Sequence, residues 1–233
     1  MNPCVVACTR KLSPAHKQQA LDAGIHMLDR NLLSYTYADA PETAVTLGTI
    51  SATAVFTSVH AIMAVQQLIS KFALQLKNKT CFCIQGHTAT KALEAGFEVL
   101  DTAPDSHSLL EKILLFKPIS LVHYSSNIRL DEWKETLASH QIPVQTVEVY
   151  HKIKQPYAFG PINGVAFFSP SQVAAFCELN TLTSGTPTFC IGATTAGAVQ
   201  KLNHQPILIA DKHSEEAVME IILHYYQTRK HES

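Results

Sequence analysis

No apolar run in this 233-residue sequence approaches the roughly 20 residues that a membrane-spanning helix needs. Stretches such as 113–116 and 207–210 fall far short, so no membrane partner is expected. The first ten residues lack the charged, apolar and small-residue zones of a secretory leader, and a cytoplasmic protein is the expectation. Charge is scarce and balanced: 16% of residues are charged, with 18 Lys and Arg against 19 Asp and Glu. That leaves no basic footprint for a nucleic acid and no like-charged run for a disordered tail.

Catalytic and cofactor signatures are missing as well. The sequence holds no G-x-x-x-x-G-K-S/T phosphate loop, no G-x-G-x-x-G turn and no G-x-S-x-G nucleophile elbow. Cys4 and Cys8 form a C-x₃-C pair, but no second knuckle follows to complete a zinc site. The other cysteines, Cys81, Cys83, Cys177 and Cys190, lie in apolar strand-like or helix-like runs, as reduced buried cysteines do. Twelve histidines are scattered without ligand spacing, so neither metal nor cofactor is expected.

What is present is 46% hydrophobic residues, enough for one large core or two small ones. Short apolar runs alternate with amphipathic stretches along the whole chain. Strands are predicted at 4–8, 26–28, 54–57, 81–84, 98–100, 120–124, 145–150, 165–168, 188–191 and 207–210. Helices are predicted between them at 14–23, 60–75, 88–95, 106–115, 129–140, 171–179, 194–202 and 214–228. Apolar strands without strict alternation, separated by helices, indicate parallel sheets covered on both faces.

Phe56 to Ala61 (FTSVHA), followed by Cys83 to Thr90 (CIQGHTAT), reads much like Phe168 to Val173 (FSPSQV), followed by Cys190 to Ala196 (CIGATTA). The pair recurs roughly 110 positions on, too far for a solenoid and suited to a duplicated domain. Five strands follow the first copy's start and three the second's, so the two N-terminal strands complete the second domain. The expected division is 1–36 with 158–233 in one domain and 37–150 inserted as the other. The second crossing, at 148–160, includes the Pro- and Gly-bearing stretch Lys152 to Pro161. Two crossings make a hinge.

Six strand-end loops are alike in composition. They are Thr9 to Ser13, Thr57 to His60, Gly86 to Thr90, Ser125 to Arg129, Ser169 to Gln172, and Gly192 to Gly197. In open α/β sheets the carboxyl edge of the strands is where ligands bind. Ser, Thr and Asn there cap helices, and helix N-termini present free N–H groups. None of the six carries Asp or Glu before its helix, which argues against paired-carboxylate chemistry. Together they form a neutral, donor-rich surface for a ligand bearing several carboxylates or phosphates. His60 and His87 follow strand ends, where capping or solvation is the simpler reading. Tyr150 closes a strand at the second crossing, either as an interfacial tyrosine or as a protonated phenol able to assist a leaving hydroxyl.

The loops at Phe56 to Ser58, Gly86 to Ala89, Phe168 to Ser171 and Ile191 to Ala196, with Val147 to Tyr150 (VEVY), resemble the uroporphyrinogen-III synthase family. The likeness covers nearly the whole chain in the same order. It implies two flavodoxin-like or Rossmann-like parallel-sheet α/β domains joined by a two-segment linker, with a cleft between them. It also implies a cofactor-independent hydro-lyase. The substrate would be hydroxymethylbilane, a linear tetrapyrrole with eight carboxylates. It would be cyclised by loss of the terminal hydroxyl, a spiro intermediate and inversion of the last pyrrole. By position Tyr150 would be catalytic. Thr9, Arg10, Thr57, Ser58, Gly86, Thr88, Ser126, Asn127, Arg129, Ser169, Ser171, Gly192, Thr194 and Thr195 would contact substrate. The family usually has Gly before Asn in the fourth loop, where Ser126 stands here. Transient contact with the preceding pathway enzyme would follow from the same resemblance. The rival readings are a non-enzymatic two-domain receptor or sensor for an anionic metabolite, and a sugar-phosphate isomerase, for which these loops supply no evident base.

Overall fold

The computed structural model describes residues 4–127, 132–202 and 206–230. Those residues form eleven strands and nine helices. The first part of the chain runs β1 (Cys4–Cys8), α1 (Pro14–Asp22), β2 (Ile25–Asp29), β3 (Leu33–Tyr37), α2 (Pro41–Thr49), β4 (Thr53–Phe56), α3 (Val59–Phe72), β5 (Thr80–Ile84), α4 (His87–Glu94) and β6 (Glu98–Ala103). It continues through α5 (Ser106–Phe116), β7 (Leu121–Ser126), α6 (Glu132–Ser139), β8 (Val144–Lys154), β9 (Gly164–Phe167), α7 (Pro170–Phe176), β10 (Thr188–Cys190), α8 (Ala193–Gln200), β11 (Ile207–Ile209) and α9 (Glu215–Lys230).

Two compact units result: Met1–Ser34 with Ile153–Ser233, and Tyr35–Lys152. In the first, five strands run in the order β11-β10-β9-β1-β2, all pairs parallel. The N-terminal strand β1 lies inside this sheet, between β9 and β2. Val6, Cys8, Ile25, Ala166 and Phe189 pack there against Val218 and Ile222 of α9.

The second sheet has the order β3-β8-β7-β4-β5-β6. Its inner strands show the period of two plainly. Ala54, Phe56, Cys81, Cys83, Val122 and Tyr124 join the core on one face. Val55, Phe82 and Leu121 join Leu109, Ile113, Trp133 and Leu137 on the other. Both faces are covered, which explains why these strands read as unbroken apolar runs.

The structure departs from the sequence reading in three places. Leu33–Tyr37 is an additional strand, at the edge of the second sheet, so that sheet has six strands rather than five. Pro41–Thr49 is an additional helix, begun by Pro at its first turn with Glu42 beside it. The third concerns the second crossing. Strand β8 runs on as an extended strand to Lys154, because the first proline, which cannot donate to a ladder, comes only at Pro156.

Candidate functional site

The carboxyl edge of the second sheet gathers a compact cluster around Tyr150. This residue closes on Ser126 because the β7–β8 register slips between Ser125 and Ser126, which brings Ser126 opposite Tyr150. Tyr150 is 3% exposed and belongs to the core. Burial pushes its pKa above the ordinary tyrosine value, and hydrogen bonding from the Ser58 and Ser126 side chains pulls partly against that. The phenol therefore stays protonated at neutral pH. Ser58 also caps α3, accepting from the His60 N–H at 3.3 Å.

His60 stacks on Tyr35 with ring centroids 3.5 Å apart and 16° between planes. Its Nδ1 lies 3.0 Å from the Tyr37 hydroxyl, and its ring centroid 6.0 Å from that of Tyr150. Burial, reinforced by the nearby Lys152 cation, lowers its pKa to about 4, so the imidazole is neutral. Asn127 ties β7 to β8. Its backbone N–H donates to Tyr150 O at 3.3 Å, and its side-chain oxygen accepts from the Lys152 N–H at 2.8 Å.

Elsewhere in this unit, Thr57 Oγ1 sits 3.4 Å from His123 Nε2, and His123 stacks on Trp133. Gly86 precedes α4 with a φ of 75°, a conformation natural to glycine, and no side chain caps that helix start. Thr88 is buried in the first turn of α4. Arg129 lies outside the described residues.

In the unit Met1–Ser34 with Ile153–Ser233, the strand-end residues divide into two kinds. Thr9 has no exposed surface, and its Oγ1 lies 2.9 Å from both Ala166 O and Gln172 Oε1. Its hydroxyl joins β1 to β9 and α7. Arg10 is not a free cation either. It pairs with Glu215 and lies 4.6 Å from the centroid of Phe168. Burial opposes ionisation of Glu215, but the Ser13 N–H, His16 and Arg10 hold its carboxyl below the usual range. Ser169 caps α7 through the Gln172 N–H.

Thr194 is exposed and Ser171 half-buried, whereas Thr195 is buried. Gly192 starts α8 without a side-chain cap, and any side chain there would collide with the His213 imidazole. Sequence reasoning missed Tyr35, Tyr37 and Lys152. A signal existed for each. Tyr35 and Tyr37 alternate in a β-prone run, and Lys152 follows Tyr150 by two positions, on the same strand face. Among the described residues no group of three or more His, Cys, Asp and Glu could hold a metal ion, and no helix is long and apolar enough to cross a membrane.

The family model described as uroporphyrinogen-III synthase HemD matches residues 17–220. Two solved structures show the same fold. The uroporphyrinogen-III synthetase of Helicobacter pylori 26695 is 17% identical, with a TM-score of 0.64 over 95% of this chain and 99% of that one. A mutant uroporphyrinogen III synthase of Thermus thermophilus is 16% identical, with a TM-score of 0.72 over 97% of this chain and 99% of that one. No curated protein gives a significant match.

Proposed function

Because the chain belongs to the uroporphyrinogen-III synthase family of haem biosynthesis, we propose that it cyclises hydroxymethylbilane as a hydro-lyase that needs neither metal nor organic cofactor. The observation that carries the assignment of roles is the Tyr150 phenol. It is kept protonated by burial and held by Ser58 and Ser126 where β8 passes the carboxyl end of β7. In this reading the electron-rich terminal pyrrole expels the hydroxyl, and Tyr150 supplies the proton that lets it leave as water. The cation left on the substrate is attacked by the far pyrrole to give the spiro intermediate. That intermediate reopens and closes with the last ring inverted. The proton lost on final closure balances the one consumed, so the net change is loss of one water. Ser58 and Ser126 hold the phenol, and the uncapped helix start at Gly86 in the same unit supplies N–H donors for a carboxylate. We place the protein in the cytoplasm, in transient contact with the enzyme that delivers its unstable substrate.

The test is to generate hydroxymethylbilane in situ and separate the cyclic products. Uncatalysed closure gives the symmetrical isomer; adding the protein should make the inverted isomer dominate. An unchanged isomer ratio would refute the assignment. Tyr150→Phe should slow turnover roughly 100-fold, the low end for a positioned acid. Ser169→Ala, which removes a helix cap, should leave the rate within several-fold.

A further inference from the structure

Strand β8 carries Tyr150 and Lys152 two positions apart, hence on one face. Lys71 and Lys112 of this unit have anionic partners. Lys71 pairs with Asp39 at 2.6 Å and Lys112 with Asp101 at 2.8 Å. Two residues along β8 from Lys152, Lys154 pairs with Glu178 at 2.6 Å. Lys152 is half-buried, yet among the described residues no carboxylate pairs with its ammonium. Its neighbour is the neutral His60, itself stacked on Tyr35. Enclosure lowers the Lys152 pKa from the usual lysine value. A cation removed from water without a counter-ion is a cost to the fold.

The backbone around this cation is unusually well defined. Asn127 Oδ1 accepts from the Lys152 N–H at 2.8 Å, and Asn127 Nδ2 donates to the Lys152 carbonyl at 3.4 Å. The side-chain amide thus imitates a backbone peptide and extends the β7–β8 ladder past its last strand pair. These bonds fix the backbone from which the Lys152 side chain springs beside Tyr150, and an ammonium with no paired carboxylate there suits a ligand that brings the opposite charge.

We propose that Lys152 anchors a substrate carboxylate beside Tyr150, and that Asn127 is the positioning residue that sets its direction. This deepens the synthase reading and rests on it. The division of labour assigns the phenol to the departing hydroxyl and the ammonium to one of the acidic side chains of the same tetrapyrrole. It also reassigns Asn127, whose amide is spent on Lys152 rather than offered to substrate.

The experiment uses the full chain and two measurements. Uroporphyrin III, an aromatic octacarboxylate, reports binding by fluorescence without turnover; hydroxymethylbilane reports KM and kcat. Lys152→Met should weaken porphyrin affinity and raise KM by roughly tenfold or more, as loss of a charge-assisted bond does. kcat should stay within about threefold, and Lys152→Arg should restore most of the affinity. Lys152→Met should melt at the same or a higher temperature, because it discards an unpaired enclosed charge. Asn127→Ala should weaken binding in the parent and add little on the Lys152→Met background. The proposal is overturned if Lys152→Met binds porphyrin within twofold of the parent, if it melts several degrees lower, or if the parent does not bind the porphyrin. A parent that binds but leaves the isomer ratio unchanged defeats the synthase reading alone, and the relative affinities still decide the role of Lys152.

Discussion

At neutral pH His60 is an uncharged ring between Tyr35, Tyr37 and Tyr150, and this has a measurable consequence. Its folded pKa of about 4 lies below the value of 6.5 expected for an unfolded chain. As pH falls through that window the unfolded chain takes up the proton first. Stability contributed by the neutral ring is therefore complete above about pH 6.5 and is lost on the way to about pH 4. His60→Phe keeps a ring on Tyr35 and removes the titration. Urea midpoints at pH 7 and pH 4.5 should fall further for the parent than for the variant. Equal falls would mean that His60 is not held neutral. The sequence marked His60 only as a strand-end residue with a capping role. Its true surroundings depend on Tyr35 and Tyr37, which come from a strand that pairs with β8 more than 100 positions later. No local pattern contains that distance.

Among the elements, β9 and α9 show how a sheet tolerates a close neighbour. Gly164 begins β9 in the middle of its sheet, and the Tyr226 hydroxyl donates to Asn163 O at 2.6 Å. A Cβ at position 164 would come within 2.5 Å of that hydroxyl and 3.0 Å of Phe189. Gly164→Ala should cost about 1–3 kcal/mol, the usual range for overpacking a filled interior. It should lower the urea midpoint without changing the m-value. An unchanged midpoint would show that Tyr226 moves aside freely. The glycine and the helix were both legible in the sequence, but the close approach of Tyr226 to position 164 was not. Strand β3 is the converse case. Leu33 to Tyr37 (LSYTY) alternates as a half-exposed edge strand should, yet it is hard to tell from a connecting segment because edge strands lack the apolar density of inner ones.

For the whole molecule the decisive fact is that one unit is continuous in sequence and the other is not. Residues 33–154 hold every strand of the six-stranded sheet and apolar cores on both its faces. As a fragment they should unfold cooperatively. Deleting residues 1–32 removes β1 from within the five-stranded sheet and should unfold that unit alone. The single tryptophan, Trp133, is buried in the continuous unit and reports on it selectively. Its emission should stay native-like in the deletion variant while helical circular dichroism falls. Red-shifted emission there would show that the two units fold only together.

The order of most strands and helices and the Ser- and Thr-rich chemistry of the strand-end loops were determined by local sequence. Each depends on periodicity and turn chemistry within a few residues. So was the candidacy of Ser58, which follows a strand end, and of Tyr150, read there as closing a strand that in fact runs on to Lys154. Only the tertiary structure decided which polar groups are spent on the protein itself. Thr9 is turned to Ala166 and Gln172, Arg10 to Glu215, and Asn127 to the backbone of Lys152. A hydroxyl, a guanidinium and an amide look alike in sequence whether they face a ligand or a neighbouring strand. The difference lies in pairings between distant segments, where one residue's spare donor meets another's spare acceptor. Lys152 stands out for the same reason: only the fold shows that, among the described residues, it lacks the carboxylate that Lys71, Lys112 and Lys154 each have.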